Sequence, residues 1–162
     1  ERHVERPVVA PFTVTFFGAR YDRLWPSFQG YAVFGERAPL DTIYARFPIR
    51  GEGPLVAPLL GDLTPTATSR VCARVDAAPP RVLLSWRDFG LDGRVGARID
   101  VTAAVSAGGE VEFQYLTLDT GVAARTSAAP LALAVGLQGD TGTLYRAARL
   151  PAGGTGLRFV PR

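Results

Sequence analysis

Four segments of this chain alternate apolar and polar side chains with a period of two, and turn-forming residues fence each of them. "FTVTFF" (12–17) sets Phe12, Val14 and Phe16 against Thr13, Thr15 and Phe17. "RVLLSW" (81–86) puts Val82, Leu84 and Trp86 on one face. "ARIDVTAAV" (97–105) groups Ile99, Val101, Ala103 and Val105 opposite Asp100 and Thr102. "EVEFQYLTL" (110–118) sets Val111, Phe113 and Tyr115 against Glu112 and Gln114. Successive side chains of a strand point to opposite faces, so this period marks strands with one buried face. "APP" (78–80), "GLDG" (90–93), "AGG" (107–109) and "LDTG" (118–121) supply the bounding turns. Segments 97–105 and 110–118 make the clearest hairpin, with Gly108 and Gly109 available for positive φ.

Strands of this kind hide their apolar faces most simply against one another. The expected fold is all-β, a two-sheet antiparallel β-sandwich of roughly 9–12 short strands with little helix. The alanine-rich segment 122–135 is cut by Pro130 and reads as a loop leading into the strand "LALAVGLQ". "PLVAPLLGDLTP" (54–65) is apolar but interrupted by Pro58 and Gly61, and reads as a crossing loop between the sheets. Strands and helices do not alternate, which argues against a parallel nucleotide-binding sheet. A chain of 162 residues suits one domain. The expectation is a single sandwich over 1–162, with 1–7 a flexible tail.

The basic residues are all Arg, and Lys, Asn and Met are missing, a bias that points to a GC-rich bacterial genome. Without Asn there is no N-glycosylation acceptor. The pI near 9.5 invites an anionic partner, but the arginines run from Arg2 to Arg162 without a dense cluster. No specific nucleic-acid binding is expected; a polymer-binding face would require folding to gather those arginines. Cys72 stands alone, so no intrachain disulfide forms. It reads as a small buried strand residue, or else as a thiol for an intermolecular bond. No apolar run is long enough for a membrane-spanning helix.

Catalytic readings find little support. Asp-Thr-Gly occurs at Asp119–Gly121 and Asp140–Gly142, as in aspartic proteases, but the copies lie too close in sequence to serve two lobes. His3, the one histidine, falls in the expected tail and offers no base to Ser27, Ser85 or Cys72. One Cys and one His do not make a zinc site. Glu36, Asp41, Asp62 and Asp92 show no spacing that selects a carboxylate pair. No catalytic, cofactor-binding or metal residue is expected, and no cofactor.

The stretch "YDRLWPSFQGYAVFG" (21–35) reads as a strand, a corner at Pro26–Gly30 and a second strand. Trp25, Phe28 and Tyr31 are core and rim residues on that reading. The alternative is an exposed aromatic platform, which makes these three the candidate partner-binding residues. Asp62, in "LLGDLTP", is expected to brace its loop by accepting main-chain N–H bonds, or else to contribute to a Ca²⁺ site.

The ordered series "PFTVTFFG", "YDRLWPSFQGYAVFG", "PLVAPLLGDLTP", "RVLLSW", "VEFQYLTL", "ALAVGLQGDTG" resembles the nidogen-type extracellular domain and its bacterial relatives. The matching positions are Phe16 to Gly18, Ser27 to Phe34, Pro54 to Asp62, Val82 to Trp86, Phe113 to Tyr115, and Gly136. Gln29 stands where that family usually has Asn before the glycine, and Leu60 where it has Trp. The resemblance implies a β-sandwich module of secreted or cell-surface proteins, cut from a longer surface protein, with no catalytic residue. The expected role is adhesion, assembly or scaffolding at the bacterial envelope, one version being the head of a surface filament subunit. The partner would be a protein or glycan, and edge strands could join copies into an oligomer. A carboxylate-dependent hydrolase and an anionic-polymer binder are the alternatives.

Overall fold

The computed structural model describes residues 6–40, 47–123, 132–140 and 145–161. In these residues the chain forms β1 (Val8–Phe16), β2 (Ala19–Ser27), β3 (Tyr31–Phe34), β4 (Leu55–Gly61), β5 (Leu63–Thr64), β6 (Arg70–Ala77) and β7 (Pro80–Leu91). It continues through β8 (Arg94–Val95), β9 (Arg98–Ser106), β10 (Val111–Asp119), β11 (Val122–Ala123), β12 (Leu133–Gln138), β13 (Tyr145–Ala148) and β14 (Thr155–Phe159). Three of these strands, β5, β8 and β11, are only two residues long. Among the described residues there is no helix.

The first sheet has the order β1-β2-β3-β4-β12-β13. The second has β14-β10-β9-β7, and the long β7 then pairs with β6 along its first part and with β5 at its end. Every pairing is antiparallel. Val14 and Phe16 of β1, Leu24 of β2 and Val56 of β4 share one core with Val82, Leu84 and Trp86 of β7 and with Val111, Phe113 and Tyr115 of β10. The period-two reading is therefore correct in phase as well as position. Two hydrogen bonds pin the layers to each other: Trp86 Nε1 donates to the Ser27 carbonyl (2.7 Å) and the Tyr115 hydroxyl to the Pro58 carbonyl (2.6 Å).

The segment 54–65 is not a loop. Residues 55–61 form β4, buried on both faces, and only Asp62 separates it from β5 in the other sheet. Its inner side chains, Val56 and Leu59, enter the common core, while Leu55, Ala57 and Leu60 join a second cluster on the sheet's outer side. Pro58 falls where the β4–β12 register slips, Ala57 facing Gly136 but Leu60 facing Ala134. A bulge is the place where a strand tolerates a residue without an N–H.

Residues 47–53 cover that outer cluster. Ile49 and Phe47 pack on Tyr31, Val33, Leu55, Ala57 and Leu60, and the fully buried Gln138 fastens the segment from beneath. Its Oε1 accepts from Ile49 N (2.7 Å), and its Nε2 donates to the carbonyls of Ile49 (3.0 Å) and Glu52 (3.2 Å).

Smaller expectations shift in detail. In the β9–β10 turn only Gly109 takes positive φ (84°). Pro26 lies inside β2, paired with Ala32, so the β2–β3 corner is 28–30. Of the alanine-rich segment, 124–131 lies outside the described residues, as do 1–5 of the expected tail; 122–123 and 133–138 are strand.

Candidate functional site

The three aromatic candidates do not form one platform. Trp25 faces the outer side of the first sheet opposite Val33, half-buried, with its indole N–H on the Gly35 carbonyl (3.0 Å). Phe28 turns the other way, into the common core, with its ring 6.3 Å from that of Phe89. Tyr31 is an interior residue, only 2% exposed. Its hydroxyl donates to Glu52 Oε1 (2.7 Å) and lies 2.8 Å from the Leu40 carbonyl. Trp25 and Tyr31 leave the first sheet by its outer face, and Phe28, in the corner between their strands, turns to the inner one.

Asp62 braces its loop by another atom than expected. Its side chain is exposed, and it is the main-chain carbonyl that accepts from Asp92 N (2.9 Å). No group of three potential metal-ligating side chains occurs among the described residues.

Asp119 and Asp140 do not share a site. Asp119 Oδ1 caps its own turn by accepting from Gly121 N (2.9 Å). Asp140 borders a polar cleft of about 520 Å³ that Asp119 does not line, together with Tyr21, Glu36 and Glu52. Thr141 and Gly142 lie outside the described residues, as do His3 and Asp41. In that cleft Glu36 is ion-paired with Arg23, and Glu52 Oε1 accepts from Tyr31 and from Leu40 N (2.7 Å). Burial, helped by the Asp140 charge, pushes the Tyr21 phenol above its usual range.

Several arginines are ion-paired where they stand. Asp76 binds Arg81 (2.9 Å) and Arg74 (3.0 Å), Arg158 binds Glu110, and Arg98 sits 3.3 Å from Asp88. Arg94 donates to the carbonyls of Thr120 (2.8 Å) and Gly121 (2.7 Å). Guanidinium groups so engaged are not a free phosphate-binding stripe. Cys72 is half-buried on the outer face of the second sheet opposite Ser85, not in the core.

The feature to which the sequence reading gave no role is the β1–β2 turn, at the Phe16 to Gly18 position of the family resemblance. Phe16 pairs with Ala19, which leaves Phe17 and Gly18 as a two-residue loop. Both have positive φ, 47° and 83°. That turn favours Asn-Gly, because a bulky side chain at positive φ is strained. Phe17 is nonetheless 38% exposed, standing edge-on to Phe16 at a ring distance of 4.9 Å. It lines a largely apolar cleft of about 420 Å³ with Leu137, Phe159, Val160 and Arg146. The signal was present as an aromatic residue just before the glycine of a tight turn.

Two stacked sheets, with surfaces at their ends and edges and no metal cluster among the described residues, define a β-sandwich module. The chain belongs to the NIDO-related family, whose model matches residues 1–153. Domains of this kind are in general extracellular and non-catalytic. No curated protein and no solved structure matches the chain.

Proposed function

We propose that the domain is a non-enzymatic extracellular module that recognises a protein partner through the Phe17 end of the sandwich, in an adhesive or scaffolding role. The observation that carries this reading is Phe17 itself. A strained backbone position is occupied by a large apolar side chain that remains partly in water. Strain of this kind is retained where the displayed group is used. Val160, 53% exposed, extends the apolar surface, and Arg146 gives the rim a cationic group suited to a carboxylate on the partner.

A second reading, glycan binding in the polar cleft, is favoured by the Tyr21 ring and the Asp140 carboxylate on its wall. An array of extracellular proteins and glycans, probed with the labelled domain, separates the two. Capture by proteins that Phe17→Asn abolishes, with the fold intact by circular dichroism, supports the protein reading. Glycan capture that Tyr21→Ala abolishes supports the second. Protein capture unchanged by Phe17→Asn overturns the assignment of the Phe17 end.

A further inference from the structure

The outer edge of β6 belongs to the second sheet and pairs with β7 on one side only. Apart from that ladder, the strand makes no main-chain hydrogen bond to the described residues over 71–77. An open row of N–H and C=O groups is a template for another strand. The inner face is also unfinished there. Ala73 lies opposite Leu84, a core residue, yet is exposed, and Val75 is only half-buried.

The sequence of this edge, "RVCARVDA", is complementary to itself when run antiparallel. We infer that β6 pairs with β6 of a second copy of this chain, about a two-fold axis at Ala73, to join two second sheets into one continuous sheet. In that register Arg70 faces Asp76 of the second copy, and Asp76 faces its Arg70. Val71 meets Val75 on the inner face, and Cys72 meets Arg74 on the outer. All paired residues keep their own sides of the sheet, as the pleat requires.

Neighbouring registers lack this match. Sliding by one pleat in one direction sets Arg70 against Arg74, and sliding in the other sets Arg74 against itself. Like charges directly opposed across strands are unfavourable. An odd shift turns Val71 and Val75 to the solvent face. Charge therefore selects the register, while main-chain hydrogen bonds and the covered Val and Ala side chains supply the attraction. Asp76 already holds Arg74 and Arg81, and Arg70 has a partner within its own chain, so the new ion pairs are shared contacts. The association is thus of moderate strength and dependent on concentration. It is independent of partner recognition at Phe17.

Sedimentation velocity over a concentration series tests the inference. The wild-type chain should pass from monomer to dimer, and Arg70→Asp and Asp76→Arg should each weaken the dimer at least tenfold. The double charge swap Arg70→Asp/Asp76→Arg should restore it, because each new charge again meets its opposite. Thermal melts of the same variants show that each is folded. A dimer unaffected by either single reversal, or weakened by both and not rescued by the swap, would overturn the pairing, as would a wild-type chain monomeric at millimolar concentration. A second readout does not depend on charge. Ala73→Cys in a Cys72→Ser background places the two thiols opposite each other and should give a covalent dimer under oxidation, whereas Cys72 alone should not.

Discussion

The Tyr115 hydroxyl, rising from the second sheet, donates a 2.6 Å hydrogen bond to the carbonyl of Pro58 at the bulge of β4 in the first. The bulge frees that carbonyl from its ladder, and the phenol satisfies it inside the core. Tyr115→Phe keeps the packing and removes the bond. The carbonyl is then left buried and unpaired, at a cost of about 1–3 kcal/mol. Urea denaturation at neutral pH measures it; an unchanged midpoint would show that the bond carries no net stability.

The same tyrosine governs the alkaline limit. Burial pushes its phenol far above the ordinary value of 10.0. Above that value the unfolded chain releases the proton while the folded one keeps it. The linked stability is complete below pH about 10 and falls as the pH rises beyond it. Wild type should lose stability steeply there, and Tyr115→Phe should lose it less steeply. Melting temperatures from pH 8 to 11 follow the difference; parallel slopes would refute it.

Gly30 and Gly18 both sit at positive φ, 78° and 83°, but only one is enclosed. A Cβ on Gly30 would lie 1.9 Å from the Leu59 carbonyl oxygen, whereas one on Gly18 would meet nothing within 4 Å. Gly18→Ala should cost only the backbone term, about 1–2 kcal/mol. Gly30→Ala should cost about 3 kcal/mol or more, because β4 must move. Equal losses in chemical denaturation would contradict the contrast.

Which parts of the fold were legible follows from how each strand is buried. β1, β7, β9 and β10 have one wet face, so Val14, Trp86, Val101 and Phe113 stand out by alternation. β4 has none, and a run such as Leu55-Val56-Ala57-Pro58-Leu59-Leu60 carries no period to read. The corner in 21–35 was visible from Gly30, but not that Phe28 and Tyr31 leave by opposite faces, since this depends on where Pro26 enters the ladder. The cover over Tyr31 rests on Gln138, which is 89 positions from Ile49, and local sequence has no mark for such a contact. The Phe17 turn was readable in its residues but not in its backbone angle.

In acid the outer face of the second sheet should weaken. The Arg81 hydrogen bond, with help from Arg74, holds the Asp76 carboxyl below its ordinary value, and Arg158 does the same for Glu110. Carboxyls lowered by folding add stability above the usual carboxylate range and lose it as the pH drops through their folded values. Asp76→Asn removes part of that dependence. Its melting temperature should therefore fall less than that of wild type between pH 6 and 3; a parallel fall would assign the acid limb to other groups.

Gln138 ties the main chain of the 47–53 segment to the sheet it covers, beside the Tyr31 hydroxyl that holds the Glu52 carboxylate. Replacing it with Leu leaves Ile49 N and the Ile49 and Glu52 carbonyls without their partner, while the added apolar surface has no better place to go. The expected cost is about 1–3 kcal/mol, and it should be local. Hydrogen exchange at the Ile49 amide should accelerate well beyond the global change, while core amides near Trp86 follow the global stability alone. Uniform acceleration across both sheets in Gln138→Leu would mean that the segment and the sandwich unfold as one unit, and that the cover over Tyr31 is not a separate element.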